Sequence, residues 1–131
     1  MAYVYSGVRS LEGTAKVGAH HQCVELIQYY AHVRQAVLWK QGEKVLGSNK
    51  IAPGTAIATF VKGRYPNHSR GNHAAFYLRQ DAGGIWVMDQ WNDDVKKRKV
   101  SSRYIRKQGG VRDDGTYLRM SNNAEAYYVI E

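Results

Sequence analysis

Cysteine occurs once in the 131 residues, at Cys23, and proline only twice. A single thiol excludes an internal disulfide and the paired-cysteine zinc sites that hold many small basic domains together, so packing must supply the stability. No apolar run approaches the roughly 18 residues that a membrane-spanning helix needs, so no membrane insertion is expected. The opening MAYVYSGVRSLEG lacks a charged start followed by a long apolar stretch, so no signal peptide is read and a soluble chain made in the cytoplasm is expected. Low-complexity tracts are missing as well. With 44% hydrophobic and 23% charged residues, the composition is that of one globular domain over residues 1–131. Acidic residues are the minority. Eleven of them against 19 Lys and Arg leave a formal charge of +8, which favours an anionic partner without choosing among nucleic acid, a membrane surface and an acidic polymer.

Cys23 follows the glycine-bearing stretch GTAKVGAHHQ and precedes VELIQYYAHVRQAVLW. Apolar residues at Val24, Leu26, Ile27, Tyr30, Ala31, Val33 and Val37 come close to helical spacing, so Cys23 opens a helix. At that position unpaired backbone N–H groups and the positive end of the helix dipole favour a thiolate. The same N–H groups suit the oxyanion of a tetrahedral acyl-transfer intermediate, while a second oxyanion donor is not assigned. Read alone, a solitary cysteine is a small buried hydrophobe. A nucleophilic thiol needs a base, which turns attention to the histidines. His20 and His21 belong to the preceding loop, where His21 and Gln22 become candidate pocket-wall residues. His32 is placed inside the helix and His68 in the polar loop GRYPNHSRGN.

His73 stands apart because it starts NHAAFYLRQDAGGIWVMDQWN, two β-prone runs flanking Asp-Ala-Gly-Gly, which is a hairpin signature. Alternation places His73, Ala75 and Tyr77 on one face of the first strand. A three-residue loop of Asp81, Ala82 and Gly83 sets Ala75 opposite Asp89, with His73 diagonal to it, and this is the preferred register. A four-residue loop ending at Gly84 puts Gln90 opposite Ala75 and Asn92 opposite His73 instead. Asp89 is thus the candidate that holds the imidazole, with Gln90 as the alternative. Asn72, Gln90 and Trp91 join the candidate substrate contacts, and Gly71 with Asn72 shapes the approach to the His73 strand or serves only as a turn.

Thr55 to Val61 reads as the first strand of the sheet, and KKRKVSSRYIRK and AYYVIE supply two more after the hairpin, leaving VRDDGTYLRMSNN as a loop. The expected architecture is α+β, with the cysteine helix packed on an antiparallel sheet of about five strands.

QCVELIQYY, PGTAIATF, NHAAFYL and IWVMDQW together resemble the NlpC/P60 type of papain-like cysteine peptidase over most of Gln22 to Trp91. The NHAAFYL and DQW elements in so short a chain look closest to amidase effectors of the type VI secretion system. The resemblance implies Cys23 as nucleophile, His73 as base and then acid, and Asp89 as the group fixing the ring, with no metal and no cofactor. Many peptidases of this type carry a second His or a Gln in the third position, where this chain offers Asp89 followed by Gln90. The implied substrate is the peptide part of peptidoglycan, in particular the D,D cross-bridge between diaminopimelate and D-alanine. The implied biology is an antibacterial toxin, secreted without a signal peptide into the periplasm of a target cell, monomeric when free and countered by a periplasmic immunity protein over the Cys23 cleft. A housekeeping cell-wall hydrolase, or a hydrolase of other amides or esters, is compatible with the same fold.

Two further readings compete. Lys96, Lys97, Arg98, Lys99, Arg103, Arg106 and Lys107 with the aromatic residues would suit a nucleic-acid surface. Against it, Tyr29, Tyr30, Trp39, Tyr77, Trp86 and Tyr127 lie in apolar segments expected to form core, and no RNA-recognition or zinc-finger pattern is present. A zinc site of His20, His21, Cys23 and His73 has poor spacing, because adjacent side chains seldom converge on one ion.

Overall fold

The computed structural model describes residues 1–66, 68 and 70–131. Six antiparallel strands form one sheet: β1 (Gln41–Lys44), β2 (Ala56–Thr59), β3 (Ala74–Asp81), β4 (Gly84–Asp89), β5 (Ser101–Arg106) and β6 (Tyr127–Ile130). Their order across the sheet is β1-β6-β2-β3-β4-β5, so the strand latest in sequence is inserted between β1 and β2. β2 reads AIAT and β3 begins AAFY, all of them buried. Such unbroken apolar runs are what a sheet covered on both faces requires.

On one face the helix α1 (Cys23–Ala31) and the turn Val8–Leu11 bring Leu26, Ile27, Val8 and Leu11 against Ala74, Phe76 and Met88. On the other, Ala75, Tyr77, Val87, Ile105 and Tyr127 pack with Val45 and Ala124. At roughly 25 cal/mol per Å² of apolar surface removed from water, burial of this kind is the main favourable contribution to folding.

The α+β class stands, with one strand more than the expected five. β1 was not anticipated, and the first segment of the expected sheet is β2. The helix is shorter than its apolar spacing implied. It ends at Ala31, and His32 lies outside it as a left-handed C-cap at φ 56°, donating its N–H to Gln28 O. Val33 is buried beyond that bend while Val37 is 84% exposed, so the spacing of the two with the helix was fortuitous. Tyr29, expected in the core, is 60% exposed.

The hairpin reaches the expected alignment by another route. Asp81 pairs with Gly84 around a two-residue turn, in which Asp81 Oδ1 accepts the N–H groups of Gly83 at 2.9 Å and Gly84 at 3.0 Å. The register then shifts between Tyr77 and Arg79, and below the bulge Tyr77 faces Val87 and Phe76 faces Met88. One extra residue in β3 offsets the shorter turn, so the alternation runs on toward Ala75 beside Asp89.

Candidate active site

Glu25 fixes the start of α1. Its carboxylate accepts the Gln22 N–H at 2.9 Å and the His20 N–H at 3.2 Å, closing the loop onto the first helical turn. Burial alone would raise the Glu25 pKa, but the N–H groups of Gln22, His20 and Ala19 outweigh it and lower it. Gly18, at φ +89°, passes so close to this carboxylate that a Cβ would collide with Oε2. His21 takes the left-handed conformation at φ 53°, a costly one for a residue with a Cβ, and the chain then turns into Gln22 and Cys23. A second tie comes from β4. Gln90 is fully buried, its Oε1 accepts the Val17 N–H at 2.9 Å, and its Nε2 donates to Val17 O at 2.8 Å and Gln22 O at 2.9 Å. That amide is spent on backbone, so Gln90 stands behind the thiol as a brace. It neither offers an atom to a ligand nor holds His73.

His73 immediately precedes β3 and is anchored by Thr59: its N–H donates to Thr59 Oγ1 at 3.1 Å, and its carbonyl accepts the Thr59 N–H at 3.0 Å. Its Nε2 lies 2.8 Å from Asp89 Oδ2, which leaves Nδ1 for the thiol. Cys23 and His73 are close enough to shift each other's titration. Burial presses the Cys23 pKa up, but the hydrogen bond and charge of His73, the Ala74 N–H and the Tyr65 hydroxyl together lower it. Burial likewise presses His73 down, yet Asp89 and Cys23 override it and push it up to about 9. Both shifts favour moving the proton from sulfur to imidazole, giving a thiolate–imidazolium pair.

Asp89 is fully buried and surrounded by cations. Arg103 sits on β5 opposite Val87, diagonal to Asp89 on the same face, and its Nε donates to Asp89 Oδ2 at 2.7 Å. Lys97, from the turn between β4 and β5, stands 2.8 Å from Oδ1; its directed hydrogen bonds go to Ser101, so Oδ1 holds an ion pair and no aligned hydrogen bond. Burial would raise the Asp89 pKa, but His73, Arg103 and Lys97 hold it far below the usual carboxylate range. Trp91 forms the platform beneath these charges, with Lys97 Nζ 4.7 Å and Arg103 Cζ 5.1 Å from its ring centre and the His73 ring edge-on at 6.2 Å.

Two concavities flank the pair. One, of about 310 Å³, is lined by Asn72, His73, Trp91, Arg103, Ser121 and Asn122. The other, of about 510 Å³, includes Trp39, Tyr65, Arg64 and His68 in its wall. Tyr65 packs its ring 4.7 Å from Trp39 and brings its hydroxyl 3.8 Å from Cys23 Sγ. Burial and the neighbouring thiol raise the Tyr65 pKa well above that of an ordinary phenol, so the hydroxyl keeps its proton.

Of the residues singled out in the sequence, Cys23, His73 and Asp89 come together, and Asn72 and Trp91 line the first concavity. Gln22 is exposed at the helix start, and His21 is half-buried in the loop before it. His20 is exposed on that loop, and among the described residues no three His, Cys, Asp or Glu side chains converge as a metal site would need. The sequence groups Lys97 and Arg103 with the basic stretch that would suit a nucleic-acid surface, whereas both turn inward to Asp89. Alternation on β5 could have flagged Arg103, which shares a face with buried Ile105. Tyr65 carried no signal, because its contact with Cys23 joins segments 42 residues apart.

Comparison with known proteins agrees with this geometry. The family model for domesticated amidase effector 2 matches residues 2–130. The type VI secretion amidase effector 2 protein of Salmonella typhi is 65% identical over the full length of both chains. The domesticated amidase effector 2 of Ixodes scapularis is 35% identical over 95 residues, which is 71% of this chain and 56% of that protein. A solved structure of type 6 secretion amidase effector 2 superposes with a TM-score of 0.97 at 65% identity, covering 98% of this chain and 94% of the other. The chain therefore belongs to the domesticated amidase effector 2 family, and its papain-like α+β fold is that of a type VI secretion amidase effector.

Proposed function

We propose that this amidase cuts the peptide part of bacterial peptidoglycan through Cys23, with His73 and Asp89, and that its bond is the D,D cross-bridge between diaminopimelate and D-alanine. The observation that carries the reading is the line from a helix-opening thiol through a buried imidazole to a carboxylate 2.8 Å from Nε2. Cys23 Sγ attacks the amide carbonyl, forming a C–S bond. The oxyanion faces the N–H groups at the start of α1, and the Tyr65 hydroxyl is placed to add a second donor. His73 then gives its Nδ1 proton to the nitrogen, the C–N bond breaks, and the amine leaves. Water, deprotonated by His73, forms a C–O bond at the thioester carbon, the C–S bond breaks, and the carboxylic acid leaves with the thiolate and imidazolium restored. Asp89 keeps the ring oriented and its charge compensated throughout.

In this reading the protein is a toxin delivered by a type VI apparatus to the periplasm of a rival cell. It acts as a monomer, and a periplasmic immunity protein covers the cleft around Cys23. Digestion of defined muropeptides followed by mass spectrometry tests it. Cross-linked dimers should give monomers, Cys23→Ala should reduce the rate to background, and His73→Ala should lower it by about 10²–10⁴-fold. Turnover that survives Cys23→Ala, or intact cross-links beside cleaved stems, would contradict the mechanism or the bond respectively.

A further inference from the structure

The concavity beside His73 is the one of the two that the imidazole itself lines. None of its six lining residues is acidic, and Arg103 forms part of its wall. The inner cluster is also unbalanced. The Cys23–His73 pair sums to zero whether its proton is on sulfur or on nitrogen, so Asp89 against Lys97 and Arg103 leaves one positive charge in excess. Acylation does not remove that excess, because the thiolate charge and the imidazolium proton disappear together. Arg103 has five N–H donors. Nε–H goes to Asp89 and one Nη1 hydrogen to Asn122 Oδ1 at 2.9 Å; the remaining three make no hydrogen bond among the described residues. The Arg103 side chain is 23% exposed and lines the concavity, so it is reachable from there. Ser121 and Asn72 add neutral polar groups, and the Trp91 indole offers an apolar wall.

Position assigns the ligand. His73 must face the departing nitrogen in order to protonate it, so whatever is attached to that nitrogen occupies the concavity that His73 helps to line. We infer that this concavity is the subsite of the leaving amine, and that Arg103 selects a leaving group whose nitrogen-bearing carbon also carries a free carboxylate. The inference rests on the function proposed above and deepens it. In the D,D cross-bridge the departing amine is the D-centre of diaminopimelate, whose carbon bears such a carboxylate. A bond inside an ordinary peptide stem places a neutral amide carbonyl there, and a cross-link through the lysine side chain places only a methylene.

Two synthetic dimers test this, identical except that D-alanine acylates either the D-centre amine of diaminopimelate or the ε-amine of lysine. Wild-type kcat/KM should favour the first by about tenfold or more, the discrimination a charge-assisted hydrogen bond sustains. Arg103→Gln should bring the ratio toward one, and Arg103→Lys should keep part of it. Loss of support for Asp89 lowers both substrates alike and leaves the ratio unmoved, so the ratio separates recognition from a structural role. If Arg103→Gln does not fold, Asn122→Ala at an exposed position should reduce the ratio by releasing one anchor of the guanidinium. A wild-type ratio near one, or a ratio unchanged in Arg103→Gln, overturns the inference while leaving the cleavage reaction intact. Absence of Cys23-dependent cleavage of both dimers overturns the proposed function itself.

Discussion

Asp89 concentrates more of the site's electrostatics than the nucleophile does. Its carboxylate bonds the ring of His73 and forms ion pairs with both Arg103 and the buried Lys97. Asp89→Asn would leave those cations facing a neutral amide, and breaking a buried charge network in this way costs about 3–5 kcal/mol, readable as a lower denaturant midpoint. The same substitution has a kinetic signature. Asp89 raises the His73 pKa, and the imidazolium form, present below about 9, is the one that can protonate the amine. Activity should therefore fall as pH rises through about 9, and in Asp89→Asn that alkaline limb should move to lower pH. An unmoved limb would show that another group holds the proton. Because the thiol and imidazole interact, both limbs of the profile belong to the pair.

Between elements, the decisive connection is the brace from the end of β4 to the loop before α1. Gln90→Leu keeps the volume but strands the Val17 N–H and the carbonyls of Val17 and Gln22, at about 1–3 kcal/mol for each group left without a partner. The expected result is lower stability with faster proteolysis at residues 17–22, ahead of any change elsewhere. Leu26→Ala acts on the other side of α1. It empties a fully buried position against the sheet and should cost about 2–5 kcal/mol, checked by chemical denaturation. What could be read in the sequence follows from how local each signal is. The start of α1 and the His73 strand were legible because each depends on a few contiguous residues, whereas the Asp89 alignment agreed only because a bulge in β3 offset a turn one residue shorter than expected. β1, sequence QGEK, was not: an edge strand solvated along its length carries no apolar alternation. The roles of Gln90, Lys97 and Arg103 were hidden because they depend on which face of a strand or turn is covered, and distant segments decide that.

Across the whole molecule, the charge of +8 is only partly engaged by the site, since Lys96, Arg98, Lys99, Arg106 and Lys107 remain exposed. Adsorption to anionic wall polymer should accordingly weaken as sodium chloride is raised from 50 to about 500 mM, while kcat on a small soluble dimer changes little. Sedimentation of the protein with intact sacculi measures the first and a muropeptide assay the second. The sheet order has a temporal side as well. β6 lies between β1 and β2, so a nascent chain on the ribosome has no seam to close until residues 127–130 have been translated. Tyr127, Val129 and Ile130 fill both cores, and contacts so distant along the polypeptide form late and slowly. A chain stalled short of β6 would carry the whole Cys23–His73–Asp89 sequence without the strand that joins β1 to β2, so a ribosome-bound chain of that length should show no Cys23-dependent cleavage.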